Sequence, residues 1–289
     1  MSHAHAGSQR RIIIALVLTG TFMLVEIVGG IISGSLALLA DAGHMLTDTM
    51  ALGLAAMAFH VSKRPPDGKL TYGYQRFQIL AAFVNGLSLL VIVGWIVFEA
   101  FRRFMHPQEI LAGTMLVVAG AGLIVNLIAF GVLHTGDREN LNIRGAALHV
   151  AGDLLGSIAA IVAAIVILRT GWTLIDPLLS LAVAGLILRS AWSLVKRSAH
   201  VLLEGAPEWL DVDAMQRRII TEVPGVDGIH HVHIWGLTPQ QLMLTMHVTV
   251  GQPVESQSDV IRGVKAVLQQ EYGIGHSTIE MEVDGCADH

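Results

Sequence analysis

Apolar residues run in six long stretches over the first two hundred positions, at about 12–32, 36–60, 79–101, 112–133, 144–168 and 173–195. Each approaches the ~20 residues that a helix needs to cross a bilayer. After Pro207 the pattern changes to the shorter periods of a water-exposed domain. Helical spacing at 211–223 gives way to the alternating segments IHHVHIWGL and LMLTMHVTV, then to an amphipathic helix at 256–272 and a last strand STIEMEV, in the order αββαβ. The pattern predicts an α-helical membrane protein with six transmembrane helices, followed by a C-terminal α+β domain of ferredoxin-like (αββαβ) type with its helices on one face of the sheet. The expected divisions are an N-terminal tail at 1–11, a membrane domain at 12–200 and a metal-binding, dimer-forming domain at 201–289.

Composition agrees with the pattern: 53% of residues are hydrophobic and 14% charged, against about 25% charged in ordinary soluble proteins, which excludes a water-soluble enzyme. The charge is unevenly placed. Residues 1–200 carry 14 Lys and Arg against 10 Asp and Glu, whereas residues 201–289 carry 4 against 13. Outside the spans, Lys and Arg concentrate on the side that holds both termini, and only Arg102, Arg103 and Arg169 lie on the other. By the positive-inside rule both termini are cytoplasmic. The first span follows Arg10 and Arg11 directly and is too long for a signal-peptide core, so no cleaved leader is expected. Fourteen histidines stand beside one cysteine, Cys286, so metal chemistry here would run through nitrogen and oxygen.

Two short patterns concentrate the polar residues of the spans. The second span contains ADAGHMLTD, with His44 and Asp48 four residues apart, and the fifth contains LHVAGD, with His149 and Asp153 at the same spacing. On a helix that spacing puts both side chains on one face, one turn apart. Asp41 shares the face of His44. A carboxylate at membrane depth costs at least several kcal/mol unless it is paired, hydrated or coordinated, and this chain carries the pattern twice, in the second span of each three-span half. An odd number of spans per half inverts one half relative to the other, so the two helices should run antiparallel with both pairs near the midplane. Two imidazoles and two carboxylates suit tetrahedral Zn²⁺ and its neighbours Co²⁺ and Cd²⁺. Two aspartates and two neutral histidines total −2, which one divalent ion or two protons would neutralise, and this equivalence is a physical basis for metal/proton antiport. Other polar residues read more plainly: Glu99 and Asp176 near span ends, Asn85 and Asn126 as interhelical hydrogen-bonding groups, and Glu26 as deep and without an assigned role.

In the acidic tail, alternation places His230, Val232 and Ile234 on one face of the first strand and His231, His233 and Trp235 on the other. His247 lies on the second strand, and His276, Glu280 and Glu282 lie on the last. This is a second candidate metal constellation. The terminal residues His3, His5, Cys286, Asp288 and His289 are weaker candidates.

The segments ISGSLALLADAGHMLTD, YGYQRFQILAAFVN, RGAALHVAGDLLGS, HHVHIWGLT and HSTIEME together resemble the cation diffusion facilitator family, in particular its zinc-transporting branch, over nearly the whole chain. The resemblance implies a homodimeric six-span exporter of Zn²⁺ working against protons, held in the lipid bilayer, with a metallochaperone-like cytoplasmic domain. By position it assigns His44, Asp48, His149 and Asp153 to the transport site and His230, His247, His276 and Glu282 to the cytoplasmic domain's ligands. It also pairs Arg76 with Glu204. Two departures matter. A metal site that some members carry between spans two and three is not expected, since Asp67 stands with Leu70 and Tyr74 at the other ligand positions. The short HTGDRENLN connection lacks the long His-rich insertion of many eukaryotic relatives and favours a bacterial inner membrane. No nucleic-acid partner is expected. The competing readings are a membrane metal sensor or structural metal-binding protein, an intramembrane metalloenzyme, for which HExxH is missing, and a passive channel, in which four tight ligands would trap the ion.

Overall fold

In the computed structural model the described residues are 2–134, 141–251, 257–283 and 286; within the helices, the side chains of 2–16, 48, 52, 55, 56, 133, 134 and 141–152 lie outside that set. The side chains of His3, His5, Arg10, Arg11 and Arg144, and all of Arg138, Asp288 and His289, therefore fall outside the described residues. The chain forms two compact units, one of residues 1–56 with 84–195 and one of residues 57–83 with 196–289.

The first unit is helical. The six apolar stretches lie in α1 (Ser2–Ser33), α2 (Leu36–Ser62), α3 (Phe77–Met105), α4 (Ala112–His134), α5 (Leu141–Thr170) and α6 (Ile175–Leu202). Among the described residues, four stretches are long and apolar enough to cross a membrane: Phe77–Met105, Ala112–Val132, Asp153–Thr170 and Ile175–Leu202; Val17–Ser33 is a shorter apolar helix. Large side chains such as Val91, Phe98, Val117 and Leu186 point outward, as they do where lipid replaces water. The interior is instead built from small residues, with Ala40, Ala100, Ala119, Ala160, Ala163, Ala164 and Ala191 fully buried. In lipid, close approach of backbones through small residues replaces the hydrophobic drive that packs soluble helices. One core cluster joins Leu36 and Ala40 of α2 to α3 and α6, and another joins Ala37 and Leu38 to α4 and the Ala160–Ile167 stretch of α5.

The first turn of α2 is held from outside the helix. Asp176, fully buried on α6, accepts from Ser35 Oγ at 2.7 Å, Leu36 N at 2.7 Å and Ala37 N at 3.2 Å. The Leu36 and Ala37 amides are among those that a helix leaves without partners, and a carboxylate there also meets the positive end of the helix dipole. Arg103 bridges Asp176 at 3.5 Å to Glu99 at 3.0 Å and donates to the Gly34 carbonyl. Glu99 and Asp176, near the span ends as the sequence indicates, are thus members of a buried network. Arg103, 6% exposed, is one of them. Sequence spacing missed this because the partners lie on three different helices.

In the second unit, α7 (Val212–Glu222), β1 (Val226–Thr238), β2 (Gln241–Val250), α8 (Gln257–Tyr272) and β3 (His276–Glu282) follow the predicted αββαβ order. Asp211 caps α7 through the Ala214 amide, the usual role of a short acidic side chain at that position. The sheet order is β1-β2-β3, with β1 and β2 antiparallel and β2 and β3 parallel across the α8 crossover. Met215 and Ile219 of α7 and Val264 and Leu268 of α8 pack with Leu244, Met246 and Val248 of β2 into one core.

Candidate metal sites

The relation of α2 to α5 follows from two observations. Leu38 packs in the cluster that contains Ala160, Ala163 and Ala164. Three residues further along α2, Asp41 lies against Gly156, where an added Cβ would stand 2.5 Å from Oδ1. Higher numbers on α2 therefore meet lower numbers on α5, and the helices run antiparallel. With ~1.5 Å rise per residue on both helices, three more positions bring His44 level with Asp153, and four more bring position 48 level with 149. His44 is half-buried with its Nδ1 shielded from solvent, and Asp153 is 2% exposed. The side chains of Asp48 and His149 lie outside the described residues, although both positions are helical. Asn126 on α4 donates to Ser157 Oγ of α5 at 3.3 Å, the interhelical bond expected of it.

The second constellation forms where the ends of three strands meet. His247 of β2 pairs in register with His230 of β1 and with Glu280 of β3. Its Nδ1 lies 2.8 Å from Glu282 Oε1, and His230 Nε2 lies 2.9 Å from Glu282 Oε2 without the alignment of a hydrogen bond. His231 joins them by breaking the strand. Its φ of 49° is in the left-handed region, which non-glycine residues visit rarely, histidine more often than most. The β1–β2 register shifts between His230 and His233. Strict alternation had put His231 on the opposite face from His230. The bulge overrides it, and the rings of His230, His231 and His247 stand 4.9–5.4 Å apart between centroids.

Cys286 completes this group from beyond the last strand, with Sγ 3.8 Å from His231 Nδ1 and 3.7 Å from His247 Nδ1. One ligand atom from each of His230, His231, His247 and Cys286 lies within 4.8 Å of the others. Neighbouring donors around tetrahedral zinc, with bonds of ~2.1 and ~2.3 Å, are separated by roughly 3.5 Å. The three imidazoles, the thiol and the adjoining carboxylate thus fit Zn²⁺ or Cd²⁺ in both chemistry and spacing. Burial pushes the Glu282 carboxyl up, but hydrogen bonds from His247 and Cys286 and the nearby His230 and His247 outweigh it and hold the group below its ordinary value. His276 does not share the cluster. It pairs with Met243 at the other end of β3, ~20 Å along the strand from Glu282, and its ring stands 6.5 Å from that of Tyr72.

The loop after α2 uses Asp67 differently. Its Oδ1 accepts from the Lys69 and Leu70 amides and its Oδ2 from the Tyr74 hydroxyl at 2.5 Å. Arg76 and Glu204 form the expected pair, at 3.1 Å.

Comparison with known proteins reaches the whole chain. Residues 12–203 match the model of the cation efflux transmembrane domain, and residues 210–284 that of the cytoplasmic domain of cation efflux proteins. The chain belongs to the cation efflux family. It is 49% identical to the zinc transporter ZitB of Pectobacterium atrosepticum, over 99% of this chain and 89% of that protein, and 48% identical to ZitB of Escherichia coli, over 99% and 93%. Similarity extends to the metal cation efflux system protein CzcD of Cupriavidus metallidurans, 43% identical over 99% and 90%. The metal-bound C-terminal domain of that transporter aligns with 26% of this chain and all of its own length, at 32% identity and a TM-score of 0.24.

As a cation efflux protein the chain is a multi-pass membrane transporter rather than an enzyme. Of the residues that the sequence proposed as tail ligands, His230, His247 and Glu282 lie together, whereas the neighbouring His231 and Cys286 were not in that set. Cys286 looked like a loose terminal residue because nothing local shows that the strand end folds back over β1 and β2. His231 was hidden by the assumption of regular pleating. The signal that was available is the HHVH run itself, since consecutive histidines in a strand can share a face only through a bulge.

Proposed function

We propose that the protein exports Zn²⁺ from the cytoplasm in exchange for protons, by alternating access around His44, Asp48, His149 and Asp153, with Co²⁺ and Cd²⁺ as chemically related cargo. It works as a homodimer with six transmembrane helices per protomer and both termini in the cytoplasm, in a bacterial inner membrane. The domains divide at 12–200 and 201–289, the latter a ferredoxin-like module that binds zinc. The antiparallel register of α2 and α5 carries the reading: it sets His44 level with Asp153 and position 48 level with 149, so the two HxxxD helix segments lie alongside each other. The relatives support the cargo: ZitB is named a zinc transporter, CzcD a metal cation efflux system protein, and a relative from Bacillus velezensis, 43% identical, a cadmium, cobalt and zinc/H⁺-K⁺ antiporter.

The mechanism follows from charge. With both aspartates ionised and both histidines neutral the site carries −2, and the low-dielectric interior disfavours that state when empty. A divalent ion brings it to zero, and so do two protons on the imidazoles. Each loaded form can therefore cross between inward- and outward-open states, whereas the empty form resists it, and this asymmetry couples zinc flux in one direction to proton flux in the other. Asp176 and Arg103 fix the start of α2 two turns before His44, giving the moving site a firm end.

The test is zinc uptake into proteoliposomes carrying a pH gradient, comparing wild type with Asp48→Ala and Asp153→Ala. The expected result is gradient-driven uptake that both substitutions abolish. Flux indifferent to the gradient would rule out antiport, and flux unchanged in both variants would remove the site.

A further inference from the structure

Four buried oxygen atoms of the helical unit have no use in the site described above. They are both carboxylate oxygens of Glu26 on α1, Oδ2 of Asp41 on α2 and the side-chain carbonyl Oδ1 of Asn126 on α4. None has a hydrogen-bond partner among the described residues, and the three residues are 0%, 3% and 0% exposed. Burying an ionised carboxylate without a partner costs several kcal/mol. A purely structural role would be met better by an apolar side chain of the same size.

The three residues are linked through neighbouring positions of α4 and α5. An added Cβ at Gly122 of α4 would stand 2.9 Å from Glu26 Oε1, so the carboxylate occupies the space that the missing side chain leaves. Asn126 is one turn further along the same helix. Its amide nitrogen holds Ser157, and the adjacent residue Gly156 gives its side-chain space to Asp41, 2.5 Å away. Asp153, one turn back on α5, lies within electrostatic reach of both Glu26 and Asp41. Two helices thus carry glycine where two carboxylates enter, and the neighbouring amide uses its nitrogen on Ser157 while its oxygen stays buried.

We infer that Glu26, Asp41 and Asn126 form a second binding station for the transported divalent cation, made wholly of oxygen and joined to the His44 site through Asp153. When both are ionised, Glu26 and Asp41 together contribute −2, the charge that one divalent ion cancels. Oxygen donors hold zinc less tightly than imidazole does, so the station suits transient occupancy: an ion released by His44 passes to it, or reaches His44 from it, without leaving a fully dehydrated charge unpartnered. The inference rests on the proposed transport site and adds to it a hand-off step.

The experiment uses the full-length protein, purified and reconstituted, with Zn²⁺ itself as probe. Glu26→Gln keeps the shape and removes the charge. Equilibrium dialysis at saturating zinc should find one ion per protomer fewer than in wild type, while the tightest site keeps its affinity within about twofold. The rate of zinc uptake into proteoliposomes should fall at least tenfold. Asp41→Asn reads the same station from a second helix and should give the same two changes, so a folding defect in one variant leaves the other decisive. Undiminished stoichiometry with undiminished flux in either folded variant would overturn the inference. So would a Glu26→Met protein that is more thermostable than wild type and transports equally well, since Glu26 would then be a dispensable buried charge. Failure of the underlying site reads differently: Asp153→Ala would then transport normally, whatever Glu26→Gln does.

Discussion

Replacing Gly156 by alanine puts a methyl group where the structure has the Asp41 carboxylate. The new Cβ would stand 2.5 Å from Oδ1, 2.8 Å from Cγ and 3.0 Å from Oδ2, whereas ordinary contact begins at 3.4 Å. The difference between 2.5 and 3.4 Å requires Asp41 to retreat, or α2 and α5 to part, by about 0.9 Å. Overpacking of this kind costs ~1–3 kcal/mol, partly offset by the ~1 kcal/mol that alanine gains over glycine in a helix, so the net loss of stability should be small, about 0–2 kcal/mol. Transport should suffer far more, because His44 is carried by one of these helices and Asp153 by the other, and metal sites tolerate donor displacements of only ~0.2 Å. At ~1.4 kcal/mol per factor of ten, the KM for zinc in proteoliposome uptake should rise at least tenfold. Gly120→Ala is the control: nothing lies within 4 Å of its Cβ position, and its KM and melting temperature should stay at or near wild type. A Gly156→Ala protein whose KM matches that of Gly120→Ala would refute the α2–α5 register as the determinant of the site.

Three further outcomes are expected. Asp176→Ala should destabilise the membrane unit by ~3–5 kcal/mol, the cost of leaving Arg103 partly unpaired and three donors at the start of α2 unmet; a change under about 1 kcal/mol in tryptophan-monitored unfolding would contradict the network. Cys286→Ser should weaken the tail's zinc affinity at least tenfold in competition with a chromophoric chelator, and cadmium affinity more, because the soft donor is lost, while His276→Ala should leave both unchanged; the reverse ranking would mean the cluster is misassigned. The Tyr74 hydroxyl bonded to Asp67 holds the phenol above its ordinary pKa and the carboxyl below its own. Because the carboxyl is depressed in the folded chain, the contact has full strength above about pH 3.9 and is lost as pH falls through the lower folded value. Absorbance titration near 295 nm, as the difference between wild type and Tyr74→Phe, should show late ionisation that Asp67→Asn abolishes, and an identical titration in Asp67→Asn would disprove the bond.

Much of this protein is local in origin and therefore visible in its residues. Six apolar runs lie in long helices, four of them with described stretches fit to cross a bilayer, which leaves the backbone no other partner for its amides, and period-two alternation with turn signals gives the αββαβ order. The His44–Asp48 and His149–Asp153 spacings define helix faces without any knowledge of what those faces meet. Even the antiparallel sense of the two helices follows from counting spans. What needed the tertiary structure is whatever depends on residues distant in sequence arriving together. The α2–α5 register came from Gly156 yielding space to Asp41. The capping of α2 came from Asp176, 140 positions away. The tail cluster needed a strand bulge at His231 and the return of Cys286 across the sheet, neither encoded in a periodicity. His276, which motif position had joined to Glu282, was separated from it by the length of β3, since residues of one strand share a face at even spacing yet move ~3.3 Å apart with every step. Spacing along a chain fixes direction on an element; only packing fixes which directions converge.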